Sequence, residues 1–219
     1  MPSTTDDVVT TLTRSFAGAR KSATPYPNWV LDKCLPDDVA AAVTELPFPA
    51  PALGGISGKR EVHNATRKYF DAENMAAYPV CNTVNSALQD RRVITAIENT
   101  FATNLKGTYL RVEFAQDTDG FWLEPHTDLG VKSFTFLLYL STNPQHADLG
   151  TDIYDNDKKH VGRSPFQPNG AFIFVPSNNT YHGFEPRRID GVRKSLVINY
   201  VTNEWRAREQ LAYPNTPIA

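Results

Sequence analysis

His126 and Asp128 stand one residue apart, and the histidine that completes a ligand set with them, His182, lies far along the chain. In a strand, residues i and i+2 point to the same face, so His126 and Asp128 can share one metal while Thr127 faces away. His182 has to arrive on a different strand. The chain between must therefore run out through a second sheet and return, and the apparent strands at 133–140, 151–155 and 171–175 supply that passage. Two imidazoles and one carboxylate can hold one face of a metal and leave the opposite face open, the donor set of non-haem Fe(II) sites.

The 219 residues fit one domain with a single large core, or a barrel with helical additions. With 22 basic and 24 acidic side chains the balance is near neutral, which excludes the usual basic footprint of a nucleic-acid binder. No window approaches the ~18 continuous apolar residues of a membrane span. Met1 to Lys21 lacks an apolar core, and Asp6 and Asp7 stand where a signal peptide would be basic. Cys34 and Cys81, the only two cysteines, read as free buried thiols. A cytoplasmic protein without nucleic-acid or membrane partners is expected; its oligomeric state is not legible.

The first half has helical periodicity. Val8, Val9, Leu12, Phe16 and Ala19 recur at helix spacing behind Asp6 or Asp7 as cap. Pro36-Asp37-Asp38 opens a second helix that runs through Leu46 and stops at Pro47. Residues 80–103 form one or two more, with Val84, Leu88, Ile94, Ile97 and Phe101 as the buried stripe. Gly54 to Phe70 lacks a period and reads as a long loop carrying Lys59, Arg60, His63, Asn64 and Arg67.

From Lys106 the texture changes to short strands between turn signals: Tyr109 to Phe114, Phe134 to Leu140, Ala171 to Val175 and Ser195 to Val201. The expected fold class is mainly β with a helical N-terminal half (α+β), a jelly roll or related double sheet with flanking helices. The expected organisation is one domain over 1–219. Residues 1–105 would be mostly helical support, 106–202 the jelly-roll core and 203–219 a C-terminal tail. Asp152, Asp155 and Asp157 lack the glycine and glutamate of a calcium loop, and read as a hairpin turn. His63, His146 and His160 have no partner at ligand spacing and read as loop residues.

The combination is more specific than any part of it. Glu124-Pro125-His126-Thr127-Asp128, Leu138-Tyr139-Leu140-Ser141, Leu149-Gly150-Thr151-Asp152 and His182-Gly183-Phe184-Glu185-Pro186 precede Arg193-Lys194-Ser195-Leu196. From about Tyr109 to Val201 the chain resembles the Fe(II)/2-oxoglutarate-dependent oxygenase superfamily, in texture its prolyl-4-hydroxylase-like branch. The resemblance implies a double-stranded β-helix (cupin-like) with Fe(II), 2-oxoglutarate as co-substrate and O2. It implies His126, Asp128 and His182 as metal ligands and catalytic centre. Arg193 would pair with the far carboxylate of 2-oxoglutarate, and Ser195, on the same strand face, would hydrogen-bond it. Tyr139 shares a face with Thr135 and Leu137 and stands where some hydroxylases place a tyrosine on that carboxylate; a core aromatic is the other reading.

The sequence departs from that branch in two places. Arg193 lies slightly further from His182 than in prolyl hydroxylases, and the tyrosine before the first histidine appears as Leu123 or Phe114. The co-substrate survives both departures, but the branch's protein substrate does not transfer. The expectation is hydroxylation of a small polar metabolite, with release of succinate and CO2. The alternatives are hydroxylation of a protein side chain, a cupin-like metal enzyme without an oxoacid, and a non-catalytic binding module. Candidate substrate contacts are Arg111 and Glu113, on a strand that lines the pocket or faces solvent, Trp122, as a wall or a core residue, and Arg67, on the loop with Arg60 and Asn64. Arg163, also on a loop, joins these candidates.

Overall fold

The computed structural model describes residues 1–51, 58, 67–128 and 130–219. The predicted loop residues Lys59, Arg60, His63 and Asn64 lie outside these. Helix α1 (Thr5–Ala17) begins one turn before its first buried valine: Thr4 accepts from the Asp7 N–H, and the Asp7 carboxylate accepts from the Thr4 N–H at 2.8 Å. The cap is therefore Thr4 and not Asp6 or Asp7, with Asp7 closing a capping box from inside the helix. Strands β1 (Arg20–Ser22) and β2 (Asn28–Leu31) follow, then α2 (Asp37–Thr44), β3 (Lys68–Tyr69) and α3 (Ala72–Ala77). The 80–103 stripe resolves into α4 (Pro79–Gln89) and α5 (Arg91–Phe101). Asp90 separates them, extended at φ −63°, ψ 135°, and its carboxylate accepts the Arg92 N–H.

The second half is β4 (Tyr109–Thr118), β5 (Leu123–His126), β6 (Lys132–Tyr139), β7 (Asp152–Tyr154), β8 (His160–Arg163), β9 (Ala171–Phe174), β10 (His182–Phe184) and β11 (Val192–Val201). A seven-stranded sheet has the order β1-β2-β9-β6-β11-β4-β3 and a four-stranded sheet the order β5-β10-β7-β8, with antiparallel pairing throughout. This is the expected double sheet. The first half is not helical throughout, since β1, β2 and β3 extend both edges of the large sheet. Residues 155–159 turn β7 back into β8, as the hairpin reading required.

Period-two alternation sorts the large sheet into two faces. Leu110, Val112 and Phe114 of β4, Phe134, Phe136 and Leu138 of β6, and Leu196, Ile198 and Tyr200 of β11 pack outward against Leu12, Phe16, Leu88, Ile97 and Phe101 of the helices. Phe101 meets Phe16 and Trp29 edge-on, at 5.4 and 5.2 Å between ring centroids. The opposite face, with Ala115, Leu137, Tyr139, Phe172, Phe174 and Val197, turns toward the small sheet and packs with its Ile153 and Phe184. Residues 203–219, expected as a tail, run back along β4. Ala212 N–H donates to Leu110 O, Ile218 N–H donates to Thr108 O, and Leu211, Ala212 and Ile218 are buried. Both cysteines are buried free thiols. No helix among the described residues is long and apolar enough to cross a membrane.

Candidate metal centre

The three ligand candidates meet between the sheets. Strand β10 pairs with β5 so that His182 stands opposite His126, and the two rings lie 4.3 Å apart between centroids. Gly183 makes that pairing possible: a Cβ there would sit 2.7 Å from Leu123 O and 3.2 Å from Glu124 O. Asp128 lies just past the end of β5 rather than on it, yet its carboxylate still reaches the cluster. One ligand atom from each of His126, Asp128 and His182 lies within 4.8 Å of the others.

The imidazoles are held in matching tautomers. His126 Nδ1 is 2.9 Å from Glu124 O, and His182 Nδ1 is 3.0 Å from Thr180 O. A carbonyl only accepts, so each Nδ1 donates a hydrogen bond to it, which leaves Nε2 as the ring nitrogen able to act as a ligand when the ring is neutral. Burial, reinforced by His126 next to it, pushes the His182 imidazole down to about 3, so the ring is neutral at pH 7. Asp128 Oδ2 lies 3.8 Å from His182 Nε2 and accepts from Thr135 Oγ1 at 3.0 Å, while Oδ1 accepts from Lys132 Nζ at 2.6 Å. Two imidazole nitrogens and one carboxylate oxygen at this separation fit a divalent first-row ion.

The cavity beside this cluster is lined by Asp128, His182, Thr135, Tyr139, Ser195, Arg193, Asp117 and Arg67 among others, and holds about 550 Å³ of atom-free space counting its open mouth. Arg193 is held from several sides. Its Nε donates to Leu149 O at 2.8 Å, its Nη1 donates to Asp117 Oδ2 at 2.6 Å, and the rings of Tyr139, Phe166 and Phe184 lie 4.9–5.6 Å from the guanidinium. Ser195 lies in register between Tyr139 and Ala115. The Tyr139 hydroxyl contacts Thr151 Oγ1 and Ser164 Oγ at 2.8 and 2.6 Å.

The substrate candidates are divided. Arg67 lines the cavity, with Nη2 at 3.2 Å from Asp117 Oδ1 and Nε at 3.4 Å from Glu113 Oε1. Arg111 and Glu113 lie further along the same face of β4 and are buried, not solvent-facing. Arg111 donates to Glu113, Asn199 and Gln210, and its guanidinium is sandwiched between the Tyr69 and Trp205 rings at 4.7 and 4.9 Å. Neither is among the described lining residues of the cavity. Trp122 is half-buried against Gly58 and is not among them either. Arg163 lies on β8, an edge strand of the small sheet, paired with Asp148 and Asp152.

Four polar residues at the site went unassigned from sequence: Asp117, Lys132, Thr135 and Thr151. Asp117 was within reach, because the Arg111–Glu113 alternation continues through Ala115 to Asp117. His146 is buried, with Nε2 donating to Asp190 O at 2.7 Å. A second group of possible ligands, Asp152, His160 and Glu185, lies on the small sheet. There Asp152 already accepts from Arg163 and Arg187, which makes it an ion-pair knot.

The fold is that of prolyl 4-hydroxylases. A prolyl 4-hydroxylase from Phytophthora capsici matches with a TM-score of 0.58 at 13% identity, over 93% of this chain and 67% of that one. A prolyl hydroxylase from Trichoplax adhaerens, solved with a hypoxia inducible factor oxygen degradation domain peptide fragment, gives 0.58 at 15% identity, over 93% and 91%. A Pseudomonas putida prolyl-4-hydroxylase gives 0.55 at 15% identity, over 90% and 93%. No protein-family model and no curated protein matches the sequence. At these identities the likeness is one of fold, and it agrees with the double-stranded β-helix that the motifs implied.

Proposed function

We propose that this protein is an Fe(II)- and 2-oxoglutarate-dependent dioxygenase that hydroxylates an unactivated C–H bond of a small polar metabolite. The observation that carries the reading is the meeting of His126, Asp128 and His182 beside a cavity that Asp128 and His182 line together with Arg193 and Ser195. When bound, Fe(II) with 2-oxoglutarate and O2 supplies an oxidative decarboxylation that yields succinate and CO2 and delivers one oxygen atom to the substrate.

The chain's own residues do the rest. Nε2 of each histidine and one Asp128 oxygen would hold the ion. Arg193, already fixed through Leu149 O and three aromatic rings, orients the far carboxylate, and Ser195 adds a hydroxyl beside it. Phe121, Leu123, Leu137, Phe184 and Val197 line the cavity with apolar surface and exclude water. In this reading 1–219 works as one domain, with 1–105 and 203–219 supporting the 106–202 core.

A peptide substrate is the second reading, favoured by the peptide bound to the Trichoplax adhaerens neighbour. Anaerobic Fe(II) plus 2-oxoglutarate should give the weak visible charge-transfer band of a chelated oxoacid; iron binding without that band would overturn the cofactor assignment. A screen of small polar metabolites against peptides, reading succinate above the uncoupled background, separates the two substrate classes.

A further inference from the structure

The wall that carries Arg193 also carries a carboxylate. Asp117 stands opposite Arg193 in the β4–β11 register, and its Oδ2 accepts a hydrogen bond from Arg193 Nη1 at 2.6 Å, so the cation meant for an incoming carboxylate already has an internal one. Arg67 approaches the other Asp117 oxygen at 3.2 Å and Glu113 at 3.4 Å, and Glu113 is bonded to Arg111 at 2.7 Å. All five side chains are at most 7% exposed. Two guanidinia, Arg193 and Arg67, face the Asp117 carboxylate, so this described group carries one positive charge in excess.

A second carboxylate placed on Arg193 beside Asp117 would be repelled strongly at this burial unless another cation held Asp117. Arg67 is that cation. We infer, resting on the reading above, that Arg67 is a positioning residue. By holding Asp117 it makes this cavity select a dicarboxylic 2-oxo acid over a monocarboxylic one. Without Arg67 the excess charge falls to zero and the diacid loses its counter-charge. Without the Asp117 charge it rises to two and the diacid gains. Removing both restores the original balance.

The test is calorimetric titration of the Mn(II)-loaded protein with 2-oxoglutarate and with 2-oxopentanoate, which keeps the chelating end and lacks the far carboxylate. Arg67→Gln should weaken 2-oxoglutarate binding roughly tenfold or more, the scale of one charge a few ångströms away in a buried site, and leave 2-oxopentanoate unchanged. Asp117→Asn should tighten 2-oxoglutarate binding, and the double variant should return to near the wild-type value. Rescue of Arg67→Gln by a second substitution is a result that lost packing would not produce. If Arg67→Gln fails to fold, Asp117→Asn decides: weaker diacid binding in that variant overturns the inference. Wild-type binding of 2-oxoglutarate with an unchanged diacid-to-monoacid ratio in both variants overturns the inference alone. No 2-oxoglutarate binding to the wild-type protein overturns the underlying reading as well.

Discussion

Lys132 Nζ lies 2.6 Å from Asp128 Oδ1, which leaves Oδ2, the oxygen 3.8 Å from His182 Nε2, as the one turned to the cluster. The lysine reaches back from the first residue of β6 to a carboxylate that sits beyond the end of β5 and is not held by strand pairing. It therefore does for Asp128 what the carbonyls of Glu124 and Thr180 do for the histidines: it fixes the orientation of a candidate ligand from behind.

Lys132→Met should weaken divalent-metal binding by roughly 10- to 100-fold, the usual effect of removing a group that orients a ligand. The measurement is competition with a chelator, using Mn(II) so that oxidation does not intervene. Thermal unfolding of the apo protein serves as the control. Wild-type affinity in a folded Lys132→Met protein would show that Asp128 needs no such support.

Asp128→Ala, His126→Ala and His182→Ala each remove a donor from the proposed three-ligand set, so each should abolish 2-oxoglutarate-dependent succinate release. Arg193→Ala should instead keep the metal and lose oxoacid affinity, because its guanidinium lies on the cavity wall and not in the ligand cluster. Equal 2-oxoglutarate affinity in Arg193→Ala and wild type would remove Arg193 from the co-substrate site.

Gly183 gives a backbone prediction. Its missing side chain lets β10 lie against β5, and a methyl group there would press on Leu123 O at 2.7 Å with both strands fixed by pairing. Gly183→Ala should push His182 away from His126 and lower metal affinity more than it lowers stability. Chelator competition and denaturant unfolding, run on the same sample, read the two effects separately. A variant that loses stability but holds metal normally would contradict the placement.

That His126, Asp128 and His182 meet was legible from the close spacing of the first two and one long return passage to the third, although Asp128 lies past the end of β5 and reaches the cluster without strand pairing. The charged wall was not. Arg111 and Glu113 alternate with Leu110 and Val112, a pattern shared by any strand with one wet face. Their burial depends on Tyr69, Trp205 and Gln210, which come from distant parts of the chain and stack or bond on Arg111. Strand β2 was hidden for a similar reason. Asn28-Trp29-Val30-Leu31 is too short to show a period, and becomes a strand because β9 offers it an edge.

Asp152 yields a prediction about acid stability. It is fully buried on β7, and it accepts from Arg163 Nε at 2.6 Å, Arg187 Nη1 at 2.5 Å and the Glu185 N–H at 2.6 Å, tying β8 and the chain after β10 to β7. Burial alone would raise its pKa, but Arg187, the Glu185 amide and Arg163 outweigh it and hold the carboxyl below the ordinary carboxylate value. A group whose folded pKa is depressed contributes stability above its unfolded pKa, near 3.9, and loses it as pH falls through the folded value. Asp152→Asn should therefore cost about 3 kcal/mol at pH 7, the scale of breaking a buried ion pair. The gap between variant and wild type should narrow as pH falls below about 4. Urea unfolding at a series of pH values checks both statements, and a gap that stays constant down to the lowest pH would mean that Asp152 acts through shape and not through charge.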